Sequence, residues 1–353
     1  MKKLLVAFLF ICTKNMYAQT NLSKDVTLTG YAEAYYGVNF ANPSNHENSN
    51  FLYNYKRHNE FAINLAMLKI AYSKENSRGN FALMAGNYAQ YNLANEPTWA
   101  QFIYEANIGF KVSKKKNVWI DAGIMPSHIG FESAIGADSY NLSRSILAEN
   151  SPYYETGVRL SYTSKNEKLY AAFLALNGWQ KIQKPNNIQR PSFGIQLTYK
   201  PTDKLTINYS NFQGSDKPDS LHAPRLFQDA YAIYEPTKKF SLIIGFDFGI
   251  EKYRANKNAY WFSPIIIAKY NLNDKSKIAC RVEYYNDANQ IIIATNTANG
   301  FQTYGFSANY DYAIRKNLLW RVEAKHYLSK DKIFENSHHH NNNNLLTSLS
   351  LKW

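Results

Sequence analysis

Apolar and polar residues alternate with period two along much of the chain. Leu205, Ile207 and Tyr209 interleave with Thr206, Asn208 and Ser210, and Ile278, Cys280, Val282 and Tyr284 with Ala279, Arg281 and Glu283. Trp320, Val322 and Ala324 alternate with Arg321, Glu323 and Lys325, and Leu242, Ile244, Phe246 and Phe248 with a set holding Gly245, Asp247 and Gly249. Successive side chains of a strand point to opposite faces, so each stretch predicts a strand with one apolar and one polar wall. Runs of about ten residues exceed the five or six usual in soluble sandwiches and match membrane-crossing strands.

The connections add a second pattern. Short, charged turns stand at 74–79, 113–117, 164–168, 200–204, 235–239, 273–277 and 315–317. Pro201 and Pro236 sit in two of them, where a fixed φ and a missing N–H do no harm to pairing. Longer polar segments fall between, at 42–52, 91–97, 181–190, 215–224, 254–258, 287–299 and 330–344, and one more lies within 121–159. Seven short and eight long connections predict sixteen strands, an even number with both ends on the short-turn side. Among them are strands near 57–73, 79–91, 99–112 and 344–353. The stretch 121–159 is the longest that escapes alternation while staying rich in Gly, Ser, Asn and aromatics, and its centre, 127–151, is the candidate constriction loop. Leu169 to Leu176 is apolar on both faces, as expected where something packs inside the barrel.

Composition agrees with a barrel and excludes a helical membrane protein. Aromatics make up 15% of the chain, with 28 Tyr, 20 Phe and 6 Trp, yet mean hydropathy is −0.46. Beyond the first residues no apolar run approaches the roughly 20 residues that a spanning helix needs. Lys2 and Lys3, the apolar run 4–11 and Met16-Tyr17-Ala18 read as a secretory signal over 1–18, leaving the barrel to 19–353. Cys12 offers a lipoprotein alternative, which the bulky Phe10 and Ile11 before it disfavour. With the signal removed only Cys280 remains, so no intramolecular disulfide forms. The net charge of +13 is dispersed and includes no basic stripe with a nucleic-acid fold motif, which argues against nucleic acid as a partner. The last strand places Leu345, Leu349, Leu351 and Trp353 on one face, the pattern of a C-terminal signal for the barrel-assembly machinery. Outer-membrane lipid and lipopolysaccharide are the expected surroundings.

Alternation places Lys111, Arg159, Lys200, Arg281, Arg321 and Lys325 on the inner face, with Glu33, Glu105, Asp121, Glu155, Asp247, Glu251, Glu283 and Glu323. Arg or Lys facing lipid at midplane would cost about 2–4 kcal/mol, so these side chains are expected in water or in ion pairs. If 127–151 folds inward, Glu132, Asp138, Arg144 and Glu149 would face Arg159, Arg281 and Arg321. The pore-lining candidates are therefore Glu132, Asp138, Arg144, Glu149, Arg159, Arg281, Glu283, Arg321, Glu323 and Lys325. His128 with Ser127 or Ser133, and Glu132 or Asp138, contains the residue types of a hydrolase, but such residues in one Gly-rich loop more often hold its fold. His338-His339-His340 has imidazoles without an acidic or thiol cluster to complete a site, so no metal, cofactor or catalytic residue is assigned.

Several segments resemble a known family. They are His58 to Phe61, Trp119 to Ile124, Ser127 to Ser133, Leu147 to Val158, Leu176 to Gln180, the turn from Tyr199 to Leu205, and Gly300 to Thr303. As a set they resemble the OmpL-like β-barrel porins over nearly the whole mature chain. The resemblance implies an all-β, transmembrane antiparallel up-and-down β-barrel in the outer membrane of a Gram-negative bacterium. The expected function is passive diffusion of small hydrophilic solutes, with a mild anion preference read from net charge and a homo-oligomer by analogy. The rivals are a non-conducting barrel with an adhesive or envelope-structural role, and a hydrolase at the barrel rim.

Overall fold

The computed structural model describes residues 20–253, 257–334 and 338–353. The expected signal at 1–18, Cys12 and part of the 254–258 connection lie outside them. Sixteen strands form one closed antiparallel barrel: β1 (Val26–Asn39), β2 (Phe61–Ser73), β3 (Ser77–Ala85), β4 (Ile103–Lys111), β5 (Asn117–Pro126), β6 (Tyr154–Thr163), β7 (Leu169–Leu176), β8 (Ser192–Thr202), β9 (Leu205–Gly214), β10 (Arg225–Tyr234), β11 (Phe240–Tyr253), β12 (Lys257–Asn271), β13 (Ser276–Asp287), β14 (Phe301–Arg315), β15 (Leu318–Ser329) and β16 (Asn341–Lys352). Each pairs with its sequence neighbour, and β16 closes on β1 from Asn344 opposite Asn39 to Lys352 opposite Tyr31. A two-residue stub, Thr20–Asn21, folds back on Thr27 and Leu28.

Alternation becomes burial. Along β15, Arg321, Glu323, Lys325 and Tyr327 are buried inside, while Trp320 and Leu328 are exposed outside. Ile244, Phe246, Ile266, Val282, Phe306, Leu345 and Leu349 continue the exposed apolar surface around the barrel, and Cys280 lies on it. An apolar surface of that extent is stable only against lipid or another chain.

Four boundaries differ from the periodic reading. The second strand begins at Phe61 rather than near 57, because Arg57 bridges Glu47 and bonds Glu60 within the first long loop. The third strand stops at Ala85 rather than near 91, because Gly86 turns the chain with φ +116° and a Cβ there would lie 2.7 Å from the Asn64 carbonyl oxygen. Helix α1 (Asn87–Asn92) follows, and the chain rejoins the wall only at Ile103, not near 99. At the other end of the chain, Asn341 to Asn344 belong to β16 instead of a loop. Asn342 donates to Asn39 Oδ1 at 2.9 Å and Asn344 to Asn342 Oδ1 at 2.5 Å, so their amides bond along the inner wall.

Candidate functional site: the lumen and its inward loop

The long loops enter the barrel. Loop L3 (127–153) leaves β5, crosses the lumen and lies on the inner faces of β10–β16 and β1; every residue from Tyr140 to Pro152 is buried. A few of its backbone groups pair locally, Asp138 N–H with the Ile135 carbonyl and Glu149 N–H with that of Ser145, but the others are buried polar groups that need partners. The wall supplies them. Glu323 accepts the Ser143 N–H at 2.6 Å, Glu283 the Ile146 N–H at 2.6 Å, and Asn309 Oδ1 the Leu142 N–H at 3.0 Å. Arg321 donates to the carbonyls of Gly136, Ser139 and Tyr140 at 2.7, 3.1 and 3.0 Å while holding Asp311 at 2.6 Å. Arg281 donates to the Ser143 carbonyl at 2.8 Å and pairs with Glu283, Glu323 and Glu132 at 3.1, 3.5 and 3.7 Å.

Apolar contacts fill the remainder. Phe131, Tyr140 and Leu147 pack on inward-facing Ile233, Ile243, Ile265 and Ile267. Ile129 and Ile146 join Leu174 and Leu176 of β7, the strand apolar on both faces, together with Phe51. The approach is close at Gly136, where a Cβ would sit 2.5 Å from the Tyr55 hydroxyl and 2.9 Å from Glu33. Helix α2 (Ile146–Glu149) is one turn, capped by Ser145 Oγ accepting the Ala148 N–H at 3.1 Å.

The candidate residues thus divide. Glu132 is tied to Ser145 and Arg281, Asp138 to Lys352, and Arg144 to the Ser133 carbonyl and the Tyr153 ring. Glu149 accepts the N–H groups of Tyr53 and Asn54 at 2.8 and 3.3 Å, so it anchors loop L1 (40–60) rather than facing the wall. Arg281, Glu283, Arg321 and Glu323 are at most 2% exposed: they lie in the seal between loop and wall. Lys325 is also buried, its ammonium over the Tyr327 ring. Arg159 does not face the loop; it pairs with Asp121 at 3.3 Å on the neighbouring strand.

His128 is not assembled into a hydrolytic set. Its Nδ1 meets Glu155 at 2.7 Å and its Nε2 meets the Asn211 carbonyl at 2.8 Å, while Ser127 and Ser133 hydroxyls accept the Ile129 and Ile135 N–H groups. Burial alone would lower the imidazole pKa, but Glu155 outweighs it and holds the pKa above the ordinary value of about 6.5. A ring with both nitrogens on acceptors is a cationic strut that pins the start of L3.

Alternation did not signal the inward course of L1. Phe51, Leu52 and Tyr55 are buried and Tyr53 half-buried; this apolar run, inside a segment otherwise read as a polar loop, was the available clue.

L3 also touches β6, β7 and β9 near the long loops, through His128 and Ile129, and Ala134 packs in one cluster with Leu65 and Met84. The short-turn half of the wall from β2 to β8 keeps half-buried inward residues: Lys69, Arg78, Lys111, Trp119, Arg159, Tyr170, Gln196, Thr198 and Lys200. Lys69 pairs with Glu105 at 2.5 Å, and Arg78 shares Asp121 with Arg159. Five cations therefore face two carboxylates on this uncovered wall.

The sequence matches the model of the family described as "Putative beta-barrel porin-2, OmpL-like" over residues 25–352. The chain belongs to this porin family. It is an outer-membrane barrel that crosses by its strands; no helix among the described residues is long and apolar enough to span a membrane. Among curated proteins none matches by sequence. Solved porins share the fold at low identity. The anion-selective porin from Comamonas acidovorans superposes with a TM-score of 0.62 at 9% identity, covering 93% of this chain and 99% of that one. The outer membrane channel DcaP of Acinetobacter baumannii gives 0.62 at 9%, with 93% and 97% covered, and Salmonella typhi OmpF, solved with daunomycin, gives 0.61 at 11%, with 95% and 100% covered.

Proposed function

We propose that this porin is a passive diffusion channel for small hydrophilic solutes, with L3 as its constriction and a mild anion preference. One observation carries the reading: L3 neutralises its own charges against β13–β16 and L1, whereas the wall it leaves uncovered holds five cations against two carboxylates. Fixed charge along a narrow aqueous path selects among ions, because permeating ions must pass close to it. The field therefore comes from one wall, Lys69 to Lys200, instead of from loop acids opposed to wall bases. The neighbour titled anion-selective supports the reading by analogy of fold.

The channel assembles through the barrel-assembly machinery by its last strand, ending at Trp353, and sits against lipid and lipopolysaccharide. A homo-oligomer is proposed because a neighbour of this fold, Vibrio cholerae OmpT, is titled in a trimer form. Planar-bilayer recording under a KCl gradient tests the channel. Stepwise conductance with a reversal potential on the anion side is expected, and Lys111→Glu with Lys200→Glu shifts it toward cations. Cation selectivity in the unaltered protein overturns the anion preference, and absence of conductance overturns the channel.

A further inference from the structure

A second feature lies at the opposite, long-loop end, away from the cationic wall. L1, L3, loop L4 (177–191) and loop L7 (288–300) meet around a cavity of about 210 Å³. Its polar lining comes from Tyr53, Glu149, Asn150, Ser151, Trp179, Gln180 and Arg225, with Ile291 as an apolar edge, and the Ser151 hydroxyl is spent on the Ala148 carbonyl. A volume below the roughly 300–1,000 Å³ of drug-sized pockets suits one small ring.

The charges in this lining are already matched. Arg225 bonds Glu251 at 2.7 Å and Asp216 at 2.9 Å, and its guanidinium lies 5.0 Å from the Trp179 ring centre. Glu149 accepts two backbone N–H groups and the Asn54 amide at 3.1 Å. An anion finds no unmatched cation here, and a zwitterion finds neither of the two charges it needs. The uncommitted groups are neutral. The Tyr53 hydroxyl, the Asn150 amide oxygen and the Gln180 amide NH₂ make no hydrogen bond among the described residues, whereas Asn150 Nδ2 and Gln180 Oε1 are used to hold L1 and L3. A hydroxyl, an acceptor and a donor beside an indole and an aliphatic edge fit a ligand whose own hydroxyls both donate and accept and whose C–H face is apolar.

We propose that this cavity binds a neutral polyhydroxylated ring, a single sugar unit, at the channel mouth. Four loops each contribute to it, so the site exists only in the folded barrel. Ligand recognition is thereby separate from the charged wall below.

Calorimetric and tryptophan-fluorescence titration of the detergent-solubilised barrel tests it, with glucose, inorganic phosphate and glycine as probes. Saturable glucose binding is expected, with phosphate and glycine weaker or silent. Tyr53→Phe, which removes one hydroxyl and keeps the ring, weakens glucose binding about fivefold. Trp179→Ala weakens it further, and heat-modifiable gel migration shows whether that barrel is folded. Tighter phosphate or glycine binding, no saturable glucose binding by a folded barrel, or equal affinity in Tyr53→Phe overturns the proposal. Binding at equilibrium needs no current. A barrel that binds glucose without conducting ends the diffusion reading and leaves this site standing, and a conducting barrel indifferent to glucose does the reverse.

Discussion

At the scale of residues, the inner wall holds L3 through a few buried charges whose loss has a definite sign. Arg281 is 1% exposed and touches three carboxylates and the Ser143 carbonyl. Removing one partner of a buried ion pair leaves the rest uncompensated and typically costs about 3–5 kcal/mol. Arg281→Met is therefore expected to lower the denaturant midpoint for loss of the compact, heat-modifiable form; a midpoint equal to wild type would show that the carboxylates find other partners. His128 adds a pH dependence. Its pKa is raised in the folded state, so the stabilisation is complete below the unfolded value of about 6.5 and is lost as pH rises through the folded value. Melting temperature should fall over that window in wild type, and His128→Gln should flatten the slope. Much of this could be anticipated: period two placed Arg281, Arg321, Glu283 and Glu323 inside. Their partners could not be, because Arg281 and Ser143 are 138 residues apart in the chain and no local pattern encodes that distance.

At the scale of elements, strands were legible and loops were not. Strand alternation is a local consequence of pleating, so 205–210 and 278–284 declared themselves from a few residues. The end of β3 depends on a Gly86 φ and a neighbouring carbonyl, neither visible in hydropathy. The path of L3 depends on side chains from half the barrel. Its composition and length marked it as the exception; its binding face became clear only against Ile243, Glu283 and Arg321. Shortening 130–149 should raise single-channel conductance and reduce selectivity, since the covered wall would open to water. Unchanged conductance would place the narrowest point elsewhere. Gly136→Val should act in the same direction more weakly, by forcing the loop off Tyr55 and Glu33.

At the scale of the molecule, L3 seals the wall from β10 to β16, while the short-turn half from β2 to β8 keeps half-buried cations. A selectivity set by Lys69, Arg78, Lys111, Arg159 and Lys200 acts through water, so it weakens as the screening length falls from about 10 Å in 0.1 M salt to about 3 Å in 1 M. Reversal potentials at a fixed concentration ratio should move toward zero between those conditions, and constancy would argue for steric selection. The seal also has a consequence for biogenesis. L3 is synthesised before every strand it grips from β10 onward, and its hydrogen bonds reach Glu323, 180 residues later, and Asp138 reaches Lys352. The loop can therefore complete its bonds only once β15 and β16 are in place. A chain that stalls before its final strands leaves the carbonyls of Gly136 and Tyr140 and the carboxylate of Asp138 without these partners, so burial of the loop depends on completion of the last strands.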